Sequence, residues 1–161
     1  MATKKKVGIK VPTKNEILKK YGSMIIQASD TKEPGLWLPS TFFNLNYTLG
    51  GGFPWGKVTE IAGEESSGKT LIALNAAYAC QQLGGSVIWV DAEQSWMNSW
   101  AELNGIDPNK VTVIRDTRIE YISDAVADVA IYLRSQLVNN EPILLVVDSV
   151  AAIDCSDNID S

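Results

Sequence analysis

Gly63-Glu64-Glu65-Ser66-Ser67-Gly68-Lys69-Thr70 is a G-x-x-x-x-G-K-T run lying between an apolar stretch, Val58 to Ala62, and a helix-forming stretch, Thr70 to Leu83. Strand, glycine loop and helix in that order form the context in which such a run binds phosphates. The glycines let the backbone curl so that successive N–H groups point inward, Lys69 brings a point charge to the β/γ oxygens, and the Thr70 hydroxyl can ligate Mg²⁺. The helix N-terminus adds its own attraction for anions. Gly63, Glu64, Glu65, Ser66, Ser67, Gly68, Lys69 and Thr70 are therefore the expected nucleotide-binding residues, with Val58 to Ala62 expected to be a buried strand.

Outward from this loop the chain alternates between strand and helix patterns, the mark of parallel βαβ units. A helix from about 69 to 83 ends at Gly84 and Gly85, and Ser86 to Asp91 follows as a strand. A helix from about 95 to 104 would carry Trp96, Trp100 and Leu103 on one face. Val111 to Ile114 reads as the next strand. Thr117 and Glu120 have capping-box spacing, and Ile122, Val126, Val129, Leu133 and Leu137 recur at helical intervals, predicting an amphipathic helix of about twenty residues. Ile143 to Val147, closed by Asp148, has the continuous apolar character of a strand buried on both faces. The expected fold is α/β: four parallel strands with helices on both faces, all delivering their carboxyl ends to one ligand-binding rim.

Two acidic positions at that rim carry chemistry. Asp148, at the end of its strand, is the expected partner of Thr70 in holding Mg²⁺, through a water. Val90-Asp91-Ala92-Glu93 places two carboxylates at the end of the strand after the loop helix. Glu93, farther out, is the expected water-activating base, with a helix cap as the alternative role. Asp91 is expected to be structural. Ser149 could contact water or phosphate, or cap a turn.

Upstream, residues 1–12 read as a basic flexible tail. Thr13 and Glu16 have capping-box spacing before the stripe Ile17, Leu18, Tyr21, and Gly22 stops the helix. Met24 to Ala28 reads as a brief strand, residues 29–40 as a loop, and Thr41 to Leu49 as a short helix ended by Gly50, Gly51 and Gly52. The expected organisation is a flexible basic tail (1–12), a small N-terminal unit with linker (13–52), and a nucleotide-binding core (53–161).

The 161 residues, 45% hydrophobic, suffice for one domain with a real core. No apolar run reaches the roughly eighteen residues of a membrane span, and the lysine-rich start lacks a signal-peptide core, so no membrane partner and a cytoplasmic location are expected. Net charge is −5, yet Lys4, Lys5, Lys6, Lys10, Lys14, Lys19 and Lys20 are half of the fourteen basic residues. From residue 21 onward seven basic residues face eighteen acidic ones, so no basic face for nucleic acid is visible beyond the N-terminal arm. Cys80 and Cys155 have neither metal-ligand nor disulfide spacing, and histidine is absent.

Three segments together resemble the successive signatures of RecA-type recombinases: Glu60 to Thr70, Val90-Asp91-Ala92-Glu93, and Val146-Val147-Asp148-Ser149-Val150-Ala151-Ala152. Lys19-Lys20-Tyr21-Gly22-Ser23-Met24 and the stretch from Leu49-Gly50-Gly51-Gly52 through Gly56-Lys57 resemble that family's N-terminal region. The Trp-rich region around Trp96 to Trp100 is most similar to phage-type members. The resemblance implies a P-loop ATPase core that uses ATP and Mg²⁺ and polymerises on single-stranded DNA for homologous pairing, strand exchange and repair. It further implies that Lys69 and Glu93 are catalytic, that Thr70 and Asp148 serve the metal, and that the N-terminal helix and strand dock on a neighbouring protomer or full-length recombinase. Met97 departs from the acidic residue often found near the adenine. The chain stops at Ser161, before the positions of the family's next strand and both DNA-binding loops. An incomplete core is therefore expected, with a gap between the Asp148 strand and the loop strand, where each unpaired buried backbone group would cost about 1–3 kcal/mol. Two other readings are a non-catalytic fragment that caps recombinase filaments and a helicase-like ATPase of the same fold.

Overall fold

A computed structural model describes residues 12–24 and 36–154. The chain divides into two compact units, residues 1–35 and 36–161.

In the first unit, Thr13 caps α1 (Lys14–Tyr21). Its hydroxyl accepts the Glu16 amide at 3.3 Å, and the Glu16 carboxylate accepts the Thr13 amide at 2.7 Å. The expected capping box is present. Gly22 closes the helix with φ 54°, and Gly22–Met24 form a 3-10 turn. The strand expected at Met24 to Ala28 otherwise lies outside the described residues, and Met24 itself is in that turn.

In the second unit, β1 (Trp37–Leu38) pairs antiparallel with β2 (Phe53–Pro54), flanking α2 (Phe43–Leu49). The expected loop over residues 29–40 therefore contains a short strand. Its two residues are too few to show the alternation by which strands are read. Gly50 supplies the left-handed cap of α2 at φ 78°.

The main sheet has three parallel strands in the order β4-β3-β5: β3 (Ser86–Asp91), β4 (Val111–Ile114) and β5 (Ile143–Asp148). β3 is central, and Val87, Ile88, Trp89, Val90 and Asp91 are all at most 1% exposed. Helix α3 (Lys69–Gln82) packs on β3 and β5, joining Leu74, Ala77 and Cys80 to Val87 and Trp89 in the core. Helix α5 (Ile119–Gln136) packs on all three strands, with Ile122 buried and Val126, Val129 and Leu133 half-buried as their spacing predicts, while Leu137, the last of the expected stripe, is the extended C-cap. Gln81 is buried at the end of α3. Its side chain both donates to the Asp107 carbonyl at 3.0 Å and accepts the Asp107 amide at 2.8 Å.

Four expectations are corrected. Val58 to Ala62 is not a buried strand: it pairs with nothing among the described residues, and Val58 is 98% exposed. An extended segment gains stability only from a ladder partner, and no strand of the described residues lies beyond β5 to provide one. The same open edge explains the second correction, since β5 is not buried on both faces and Leu145 is half-exposed. The third concerns α4 (Asn98–Leu103), which starts later than expected because the Asp91 carboxylate captures the amides of Ser95 and Trp96. Trp96 packs on Trp89 from outside the helix, while Leu103 faces solvent and Ala101 takes the buried position. Fourth, Thr117 does not cap α5. Its hydroxyl donates to Asp154 at 3.0 Å, and Arg118 stands at the cap position without a side-chain capping bond.

Candidate functional site

The carboxyl ends of β3 and β5 are in register, with Asp91 opposite Asp148. The N-terminus of α3 lies against the same rim. Gly68 precedes the helix at φ 91° and Ser66 turns the loop at φ 58°, so residues 63–68 curl back on themselves. Only a residue without Cβ takes φ near 90° at little cost, which is what the second glycine of the run provides.

Lys69 folds its ammonium onto the loop, donating to the carbonyl oxygens of Gly63 at 3.0 Å and Glu64 at 2.7 Å. The Thr70 hydroxyl donates to Asp148 Oδ2 at 3.0 Å across 78 residues of sequence. Burial pushes the Asp148 carboxyl above the ordinary aspartate range; the Thr70 hydrogen bond opposes this, the charges of Glu93 and Asp91 add to it, and Lys69 lowers it. One hydroxyl and one carboxylate at this separation are hard oxygen donors. They suit Mg²⁺, which keeps several waters and needs only one or two protein ligands. Among the described residues no group of three or more acidic, histidine or cysteine side chains forms a fuller cage.

Glu93 lies in the turn after β3, and its carboxylate accepts the Ser149 hydroxyl at 2.5 Å. The strand ends at Asp91, so the two carboxylates do not share a face of an extended strand. Glu93 stands out at the rim while Asp91 turns inward, fully buried. Asp91 accepts the amides of Ser95 at 2.8 Å and Trp96 at 3.1 Å and the Arg115 Nε–H at 3.1 Å. Ser149 makes no side-chain cap to the turn that follows it. Thr70, Trp89, Trp96, Met97, Trp100 and Asp148 border a cleft beside the Thr70–Asp148 pair.

The structure thus gathers Lys69, Thr70, Glu93 and Asp148 at one rim. Two contacts escaped the sequence reading, Ser149 on Glu93 and Arg115 on Asp91. Position alone could have flagged Arg115, a charged residue immediately after the half-buried strand that pairs with the Asp91 strand.

Residues 10–161 match the RecA N-terminal domain family. The chain belongs to the RecA family. It is 37% identical to Protein RecA of Malacoplasma penetrans over 147 residues, 91% of this chain and 42% of that protein. With Protein RecA of Nitratidesulfovibrio vulgaris it shares 36% over 140 residues, 85% of this chain and 37% of the relative. With that of Chlorobaculum parvum it shares 44% over 110 residues, 68% and 30% respectively. This RecA-family chain spans about two fifths of the length of the first of these relatives.

Proposed function

We propose that this RecA-family chain is the ATP-binding core of a DNA-dependent ATPase that serves recombinational repair. The observation that carries the reading is the 3.0 Å contact between Thr70, at the start of α3, and Asp148, at the end of β5. It brings the two ends of the motif pattern to one point beside a loop whose lysine is within reach of its rim.

In this reading the amides of Gly63–Thr70 bind the β- and γ-phosphates, and Lys69 leaves the carbonyls of Gly63 and Glu64 for the phosphate oxygens. Thr70 and Asp148 would hold Mg²⁺, which when bound neutralises charge on the phosphate oxygens during transfer. Glu93, held by the Ser149 hydroxyl beside Asp148, orients and deprotonates the attacking water. Single-stranded DNA, strand exchange, self-association through the N-terminal helix and a cytoplasmic location belong to the same proposal. The unpaired 57–62 segment favours a second outcome, in which the chain binds nucleotide, or a full-length recombinase, without efficient turnover.

The test is Mg²⁺-dependent ATP binding by the 161-residue chain, read as a rise in Tm, with Lys69→Ala as control. A rise that the variant loses supports the reading. A folded chain whose Tm ignores Mg²⁺·ATP overturns it.

A further inference from the structure

We infer that Arg115 is a positioning residue for Glu93, acting by clamping the turn 92–97 shut. The inference rests on the ATPase reading above. Within this turn the only backbone bond back to the strand runs from the Gln94 amide to the Asp91 carbonyl at 3.1 Å. Gln94 holds φ 55°, a left-handed conformation that a non-glycine residue adopts only where its surroundings enforce it. The enforcement comes from two side chains. Asp91 takes the Ser95 amide on Oδ1 and the Trp96 amide on Oδ2. Arg115 then spans the closure, donating from Nε to Asp91 Oδ2 at 3.1 Å and from Nη2 to the Trp96 carbonyl at 3.2 Å.

Glu93 is carried inside this closed ring, and outside it touches Ser149. Asp91 is fully buried and fixed by its strand, whereas the Arg115 side chain is 52% exposed. What the guanidinium fixes is the turn, through a planar fork that a point-charge ammonium cannot reproduce. Catalytic groups displaced by about 1 Å lose about 10²-fold in rate, so a turn free to breathe would be felt in turnover before it is felt in nucleotide binding by residues 63–70.

The experiment measures steady-state ATP turnover and amide hydrogen exchange on the 161-residue chain and its Arg115→Ala and Arg115→Lys variants. In wild type the Ser95 and Trp96 amides should be protected. Arg115→Ala should raise their exchange by about tenfold or more while Ile88 and Val90 stay slow, and should lower kcat by about 10–100-fold with KM for ATP changed less than about threefold. Arg115→Lys should recover part of both. Unchanged exchange at Ser95 and Trp96, or a loss expressed in KM with kcat intact, overturns the clamp. If Arg115→Ala does not fold, Arg115→Lys decides: full kcat with full protection overturns the proposal, and an intermediate fall in both supports it. A wild-type chain without turnover instead overturns the ATPase reading and the positioning role with it, an outcome distinct from a failed clamp because the exchange measurement does not depend on hydrolysis.

Discussion

The thiol of Cys80 is fully buried at the end of α3 and donates to the carbonyl oxygens of Ser86 at 3.5 Å and Pro142 at 3.7 Å. Burial pushes it up to about 11, against a backbone contact at Leu144 that lowers it. The thiolate is the reactive form, so Cys80 should resist iodoacetamide at pH 8 in the folded chain and react once urea unfolds it, as mapped by peptide mass. Because the folded value lies above the unfolded one, this site's contribution to stability is intact below about pH 9 and is lost as pH rises toward 11. Denaturant midpoints across that window should fall, and a Cys80→Ala variant should lose this part of the decline. Glu93 presents a different kind of residue-scale prediction. Glu93→Gln keeps size and hydrogen bonding but removes the proposed base, so on that reading Mg²⁺·ATP binding should persist while hydrolysis slows by about 10²–10⁴-fold. Normal turnover in that variant would refute the role.

Among the elements, those built on local pattern were legible in the sequence, β3 and β4 at their bounds. β3 and β4 were marked by apolar runs closed by turn residues, α3 by the loop before it and glycines after it, and α5 by its helical spacing. What escaped were features decided by partners distant in sequence. The start of α4 was set by a buried carboxylate on the preceding strand rather than by propensity. Thr117 was drawn from a capping role by Asp154, which also ties its own backbone amide to the Thr117 carbonyl. Glycine and hydroxyl motifs at the candidate site were readable because their chemistry is local, whereas Ser149 on Glu93 joins residues 56 apart. Gln81 is another such long-range device, since one side chain satisfies both backbone groups of Asp107. Gln81→Leu keeps the bulk but strands an amide and a carbonyl, each costing about 1–3 kcal/mol if left buried and unpaired. Urea unfolding should show a lower midpoint with an unchanged slope. No change would mean that water replaces both bonds.

For the molecule as a whole, the loop at the candidate site is anchored unequally on its two sides. Its C-terminal side runs into α3, which is packed on β3 and β5, while its N-terminal side, residues 57–62, joins no ladder among the described residues and lies largely in solvent. Among the described residues β5 has a strand only on its β3 side, so protection should fall from β3 outward to β5 and almost vanish at 57–62. A ligand held by the amides of Gly63–Thr70 must order that free side as it binds, and fixing each backbone residue costs about 1–2 kcal/mol. On the proposed reading, affinity for Mg²⁺·ATP should therefore be reduced by the share of this ordering that binding must supply, and the bound state should gain structure along this side. Hydrogen exchange with and without Mg²⁺·ATP tests this directly. New protection should extend through residues 57–68, with β3 unchanged because it is already at the floor of its exchange rate. Protection confined to Lys69 and Thr70 would mean that the N-terminal stalk stays free and that α3 alone holds the phosphates.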